Sequence, residues 1–483
     1  MPLKKENGAV VVAIADPFNH NVLDDLRVVY NLPIKPVIAG SYEIIGAINT
    51  VYNKMSDVGE RAVEEFEEGN LDSIGHELEE VQDLLDSADE APIIRLVNSL
   101  MFRAVKQKTS DIHIEPFEKD LIVRFRIDGV LYDVMHPPKK AYAAISSRIK
   151  IMANLNIAEK RLPQDGRIRI KIAGKDIDIR VSTVPTAYGE SIVMRLLDKS
   201  HVVLDMEKLG IGGKVLQQMR EMTSRSHGIV LVTGPTGSGK TTTLYAALSE
   251  LNTPDVKIIT CEDPIEYQLD GINQIPVNPK IELTFAAGLR AILRQDPDVI
   301  LVGEIRDKET AEIAVQAALT GHIVLSTLHT NDSASSVTRL IDMGVEPFLV
   351  ASSVLGILAQ RLLRTVCRDC AKKYTPTEAE LQQAGLTVED LKGKQLYRAV
   401  GCPNCLNTGY IGRMGIHELL ILDEDLRSII MKSVDATLLK KAAMARGMMT
   451  LREDGIQKAI RGLTTLEEVL VTTQEDVQRE KAA

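Results

Sequence analysis

The densest chemistry in the chain lies in Gly234-Pro-Thr-Gly-Ser-Gly-Lys-Thr241, which fits the G-x-x-x-x-G-K-[ST] pattern of a phosphate-binding loop. Gly237 and Gly239 let backbone N–H groups close around phosphate oxygens. Lys240 adds positive charge for the β- and γ-phosphates, and the Thr241 hydroxyl suits a Mg²⁺ ion. The phosphate-contacting set is Gly234, Pro235, Thr236, Gly237, Ser238, Gly239, Lys240, Thr241 and Thr242. A glycine-rich turn with an accidental Lys-Thr is the competing account. Against it, Ile229-Val-Leu-Val232 reads as a buried strand and residues 242–251 as a helix, the order such a loop requires.

Three later apolar runs end in groups able to act on a bound triphosphate. Residues 256–261 lead into Glu262-Asp-Pro-Ile-Glu266, residues 299–302 into Gly303-Glu304-Ile-Arg-Asp307, and residues 323–328 into His329-Thr-Asn-Asp332. In a parallel α/β sheet ligands sit beyond the C-terminal strand ends, so these termini should converge on the loop. Glu304 can serve the metal, the attacking water or both, and Glu262 competes for the water. The opposing account is a pair of surface acids at strand ends. His322 and His329, seven residues apart on an extended strand, would be roughly 23 Å apart and cannot share one phosphate. His329, at the C-terminal end, is the nucleotide-sensing candidate; His322 suits a subunit or domain contact. Cys261 reads as a small buried hydrophobe.

Cys367-Arg-Asp-Cys370 and Cys402-Pro-Asn-Cys405 form two C-x-x-C knuckles. Brought together, Cys367, Cys370, Cys402 and Cys405 give a closed tetrahedral zinc site, structural because no coordination position stays open. Such a site can order an insert that has little core of its own.

These groups need a scaffold, and 483 residues imply roughly three domains. A net charge of −10 and the absence of Trp argue against a broad nucleic-acid footprint, leaving only a local basic patch open. No apolar run reaches the ~18 residues of a membrane span, residues 347–360 being too short. No signal-peptide core follows Met1, so a cytoplasmic protein with at most peripheral membrane association is expected. Residues 1–55 hold a β-like run from Ala9 to Ala15 and read as the remnant of an α/β domain whose first strand begins almost at Met1. Residues 56–90 carry fourteen Asp or Glu and one Arg. They read as a solvated linker, an acidic partner-binding helix being the alternative.

Residues 91–200 read as a second domain, a helix followed by Ser110-Asp-Ile-His-Ile-Glu115 and two hairpins. Asp111, His113 and Glu115 share one strand face and mimic a metal site, although a half-buried strand explains them without metal. One hairpin turns at Asp128-Gly129. In the other, residues 167–172 pair with 176–181 across Ala-Gly-Lys, presenting Arg167, Arg169, Lys171 and Arg180 on a basic face. That face is either solvated or turned toward a nucleotide on another subunit. Residues 201–225 read as a connector, and 226–483 as the nucleotide-binding domain, with the cysteine insert at 366–412. Residues 415–472 read as helices with turn signals at Gly447, Gly455 and Gly462.

Taken together, residues 234–241, 262–266, 294–306, 320–330 and the paired cysteines resemble the Walker A, Asp box, Walker B, His box and tetracysteine motifs of the ATPases of type II secretion and type IV pilus assembly. Ser110-Asp-Ile-His-Ile-Glu-Pro116 and Arg161-Leu-Pro-Gln-Asp-Gly-Arg167 extend the likeness, which spans about residues 90–475. Gly412-Arg-Met-Gly-Ile-His-Glu-Leu-Leu420 is nearer the type II secretion branch than the pilus-extension branch. The resemblance implies an α/β fold: a RecA-like P-loop ATPase domain, preceded by a PAS-like α+β domain and a partial N-terminal α/β domain, with a tetracysteine zinc insert. It implies a Mg²⁺-dependent, ATP-hydrolysing homo-hexamer with bound Zn²⁺ on the cytoplasmic face of the inner membrane, driving pseudopilus assembly through cytoplasmic domains of membrane platform proteins. Acidic phospholipid is a further partner and nucleic acid is not expected. Arg167 and Arg180 match positions that the family places against nucleotide. A zinc-knuckle nucleic-acid translocase and a non-hydrolysing scaffold are the readings from other classes, disfavoured by the acidic balance and by the intact Lys240, Thr241, Glu262 and Glu304.

Overall fold

The computed structural model describes residues 2–44 in part and 91–474 apart from 173–174, 199–203 and 392. The chain divides into two compact units, residues 1–201 and 202–483. The acidic stretch 56–90 lies outside the described residues. At the N-terminus β1 (Pro2–Glu6), β2 (Ala9–Ile14) and β3 (Ile34–Ile38) form a three-stranded sheet, β1 antiparallel and β3 parallel to β2. Its small core gathers Val10, Val12, Leu23 and Ile34.

Residues 91–198 fold around a six-stranded antiparallel sheet of order β6-β5-β4-β9-β8-β7. Its strands are β4 (Asp111–Pro116), β5 (Leu121–Ile127), β6 (Val130–Met135), β7 (Gln164–Ile172), β8 (Lys175–Thr186) and β9 (Gly189–Asp198). The helices Ala91–Lys106 and Tyr142–Met152 bury Leu96, Leu100, Ile145 and Ile149 against Ile112, Ile114, Phe125, Ile179 and Met194. The opposite sheet face is an ionic lattice. Arg124 Nε donates to Glu115 at 2.7 Å, Arg195 Nε to Asp111 at 2.8 Å, and Arg167 binds Asp178 through two nitrogens. The Asp111, His113 and Glu115 trio therefore spends its carboxylates on cross-strand arginines. The connection between β7 and β8 is two residues rather than three, which sets Arg167 opposite Arg180 and Arg169 opposite Asp178. The face read as basic consequently carries its own buried counter-charge.

The second unit is built on a seven-stranded sheet of order β12-β11-β13-β14-β10-β15-β18. These are β10 (Gly228–Thr233), β11 (Ile258–Glu262), β12 (Asn273–Pro276), β13 (Val299–Val302), β14 (Ile323–Leu328), β15 (Val354–Val366) and β18 (Tyr410–Ile421). All pairings are parallel except β15 with β18. Every residue of β10, β11, β13 and β14 is buried. Successive side chains enter opposite cores: Ile229 and Leu231 meet one helical layer, Val230 and Val232 the other. Burial on both faces is why these strands are continuous apolar runs.

Two expectations change in this unit. Residues 415–421 belong to β18 rather than to a helix, because the run pairs with β15 and is buried from Gly415 to Leu420. Gly455 marks no turn; it lies within the helix Leu451–Ile460, where a Cβ would come 2.8 Å from Val469. The apolar stretch 347–360 is half helix (Pro347–Ser353) and half strand, and among the described residues no helix is long and apolar enough to cross a membrane. Residues 367–409, between β15 and β18, form the cysteine insert, with β16 (Lys372–Tyr374) pairing β17 (Leu396–Arg398).

Candidate active site and metal centre

The phosphate-binding loop joins β10 to the helix Lys240–Leu251. Gly234, Gly237 and Gly239 take φ of 148°, 81° and 85°, values that side chains rarely tolerate. Pro235, Thr236 and Gly237 are exposed at the loop tip, whereas Gly234, Ser238 and Lys240 are buried and Thr241 and Thr242 half-buried. Lys240 Nζ donates to the Gly234 carbonyl at 2.8 Å and the Pro235 carbonyl at 3.1 Å. The cation thus fills its own loop.

Parallel pairing brings the other strand ends level with this loop. β10 and β14 run in register from Gly228↔Ile323 to Thr233↔Leu328. Beyond them the Thr330 N–H donates to Thr233 Oγ1 at 2.9 Å, which places His329 beside the loop. Glu304 follows β13 and is tied to β14: Ile305 N–H donates to the Thr327 carbonyl at 3.0 Å, and Thr327 Oγ1 to the Gly303 carbonyl at 2.7 Å. The Glu304 side chain, 11 % exposed, has its carboxylate 3.1 Å from His329 Nε2 and 2.5 Å from Arg306. Its charge also acts on Lys240.

Glu262 is differently placed. Its strand is two removed from β14, and both carboxylate oxygens are occupied. Thr260 Oγ1 donates at 2.6 Å, Gln274 Nε2 at 3.1 Å, and the Tyr245 hydroxyl closes on the other oxygen. Tyr245 belongs to the helix that begins at Lys240, so Glu262 braces that helix from below the loop. The structure therefore joins Lys240, Glu304 and His329, and links Glu262 to them through a helix. His322, at the opposite end of β14, has Nδ1 2.9 Å from the Ala317 carbonyl of its own preceding helix. Sequence reading missed Tyr245, the one aromatic side chain in its helix, and Thr260, which shares Glu262's strand face. Cys261 is fully buried; a Cβ at Gly288 would come 2.6 Å from its sulfur, and burial, aided by the charges of Glu262 and Asp263, pushes its thiol up to about 11. Arg167 and Arg180 lie in the first unit, Arg167 half-exposed and held by Asp178.

The four cysteine sulfurs lie within 4.8 Å of one another, the one metal-ligating cluster among the described residues. Separations of 3.9 Å (Cys367 to Cys402), 3.8 Å (Cys370 to Cys405) and 3.7 Å (Cys402 to Cys405) compare with ~3.8 Å for the edge of a tetrahedron with ~2.3 Å Zn–S bonds. Backbone N–H groups of Gly401, Cys402 and Gly409 donate to these sulfurs at 3.3, 3.1 and 3.2 Å. Burial alone would raise the Cys405 thiol, but the N–H groups of Cys402 and Gly409 outweigh it and bring it to about 6. A thiolate set of this size and shape fits zinc.

The sequence model of the family described as Type II/IV secretion system protein matches residues 86–471, and an MshEN domain model matches residues 1–57. The chain is 52% identical over 438 residues to the Type II secretion system ATPase E of Vibrio cholerae, covering 90% of this chain and 86% of that protein. It is 48% identical over 478 residues to the Type IV pilus assembly ATPase PilB of Myxococcus xanthus, covering 99% and 84%. Among solved structures it resembles the pilus retraction motor PilT with bound ADP, at a TM-score of 0.52 and 27% identity, covering 77% of this chain and 96% of that one.

Burial lowers Lys240 from 10.5 to about 8, with Glu304 pulling part of the way back. A depressed lysine destabilises the fold while it is charged. That cost fades as pH rises from 8 to 10.5. Binding a phosphate anion has the opposite sign, because it needs the ammonium. We expect affinity for a fluorescent triphosphate to fall about tenfold from pH 7 to pH 9, and the fall to vanish in Lys240→Met; a flat wild-type profile contradicts the assignment. Cys367→Ser, with three sulfurs left, should keep less than about a tenth of its zinc after dialysis against a chelator, and metal analysis showing full zinc contradicts the site.

Proposed function

The chain belongs to the type II/IV secretion system protein family, and from that premise we propose that it hydrolyses ATP to drive pseudopilus assembly in bacterial type II secretion. The observation that carries the reading is the Lys240, Glu304 and His329 constellation at the level ends of β10, β13 and β14. The loop N–H groups and Lys240 hold the β- and γ-phosphates, and Thr241 and Glu304 are the groups to hold Mg²⁺. The ion, when bound, neutralises charge on the transferred phosphoryl group. Glu304 orients the attacking water, because its partners His329 and Arg306 are exposed side chains it can exchange, whereas Glu262 is held by the buried hydroxyls of Thr260 and Tyr245. His329 steadies the Glu304 carboxylate and reports the terminal phosphate. Glu262 holds the loop helix through Tyr245.

Arg167 and Arg180 act on nucleotide across a subunit interface in a hexameric ring. Arg167 would trade Asp178 for a phosphate, and such a cation is worth ~10³ or more in rate. Zn²⁺, when held by Cys367, Cys370, Cys402 and Cys405, would order the insert. The ring works at the cytoplasmic face of the inner membrane against cytoplasmic domains of platform proteins, with acidic phospholipid as a further contact. The similarity to the pilus assembly ATPase PilB sustains a second reading, a pilus-extension motor, which complementation of a secretion-deficient and a pilus-deficient strain separates.

Lys240→Ala should abolish phosphate release while leaving the fold intact. Glu304→Gln should lower kcat about 10²-fold or more with nucleotide still bound. Normal phosphate release by either variant rejects the assignment of that residue.

A further inference from the structure

β15 closes the side of the phosphate-binding loop away from β14, since it pairs with β10 on its other edge. On this strand Gln360 directly follows the apolar run Val354–Ala359 and is 2 % exposed. Its amide is engaged at both ends. Nε2 donates to the Ser238 carbonyl at 2.8 Å, and Oε1 accepts from the Thr243 hydroxyl at 2.7 Å. Both partners belong to the loop or the first turn of its helix, 122 and 117 residues away in sequence. The backbone is moulded to the same residue. A Cβ at 234 would lie 2.3 Å from the Gln360 carbonyl oxygen, and one at 239 would lie 2.9 Å from Nε2.

We infer that Gln360 is the positioning residue that sets the orientation of the peptide between Ser238 and Gly239, and that nucleotide affinity depends on it. In a planar trans peptide the C=O and N–H point in opposite directions. Pinning the Ser238 carbonyl to β15 therefore aims the Gly239 N–H away from that strand, into the set of loop donors that meets an anion. Gly239, with its φ of 85°, tolerates either peptide orientation, so the loop itself does not choose. The flipped form presents a carbonyl oxygen to phosphate. Thr243 completes the device. A carbonyl can only accept, so the NH₂ end must face Ser238, and the Thr243 hydroxyl satisfies the oxygen left at the other end. Removing either partner strands a buried polar group.

The inference rests on reading this loop as the nucleotide site, and the test separates the two. Full-length wild type, Gln360→Met, Thr243→Val, the double variant and Lys240→Ala are titrated with a fluorescent ATP analogue, assayed for phosphate release and melted. Gln360→Met should raise Kd and KM about tenfold, equivalent to about 1.4 kcal/mol, with kcat nearly unchanged. Thr243→Val should raise Kd less, and the double variant should bind no worse than Gln360→Met. Wild-type Kd in both single variants, or a fall in kcat at constant KM, overturns the inference while leaving the site reading standing. If wild type binds no better than Lys240→Ala, the site reading falls first. Should Gln360→Met not fold, Thr243→Val decides: a raised Kd at an unchanged melting temperature supports the inference, and an unchanged Kd overturns it.

Discussion

Neighbouring strands of a parallel sheet cannot be joined by a tight turn, so each must return through a crossover and all their C-terminal ends finish along one edge. The register of β10 with β14 and of β14 with β13 is the constraint from which the site follows. It brings Thr233 against Thr330 and ties Gly303 to Thr327, and in doing so fixes where Glu304 and His329 stand. Burial on both faces makes the register firm, because a one-residue slip would exchange the two cores to which alternate side chains belong.

The same logic joins the metal insert to the sheet. β15 and β18 pair from Gly356↔Ile421 out to Val366↔Tyr410, and Cys367 follows at once. The outer end is held by Arg364, which binds Glu468 at 2.6 Å and lies 4.1 Å from the Tyr410 ring centre. Gln360 sits six residues in from Val366, roughly 20 Å along the same strand. One continuous strand therefore carries the edge of the phosphate cradle at its middle and the first cysteine at its end.

Much of this was legible before any coordinates. The runs at 299–302 and 323–328 are strands with the bounds expected, because doubly buried strands are short apolar runs closed by glycine or polar residues. What was not legible depends on partners distant in sequence. Glu262 looked like a free strand-end acid because Tyr245, Thr260 and Gln274 converge on it only in the fold. The face with Arg167 looked basic because Asp178, opposite Arg169 and bound by the Arg167 side chain, joins it through a register that a two-residue connection sets. Residues 415–421 lack a clean alternation, since β18 is buried on both sides there, and its pairing with β15 decided the matter. Gly455 looked like punctuation, but contact with Val469 explains it.

Cys261 stands apart from the other four cysteines. It is sealed beneath Gly288, fully buried, with its thiol pushed up to about 11. A thiolate is the reactive form, so this sulfur stays inert while the sheet is intact. The molecule thus carries its own two-stage gauge for maleimide labelling. Four thiols become countable when the knuckle opens, and the fifth only when the central sheet comes apart.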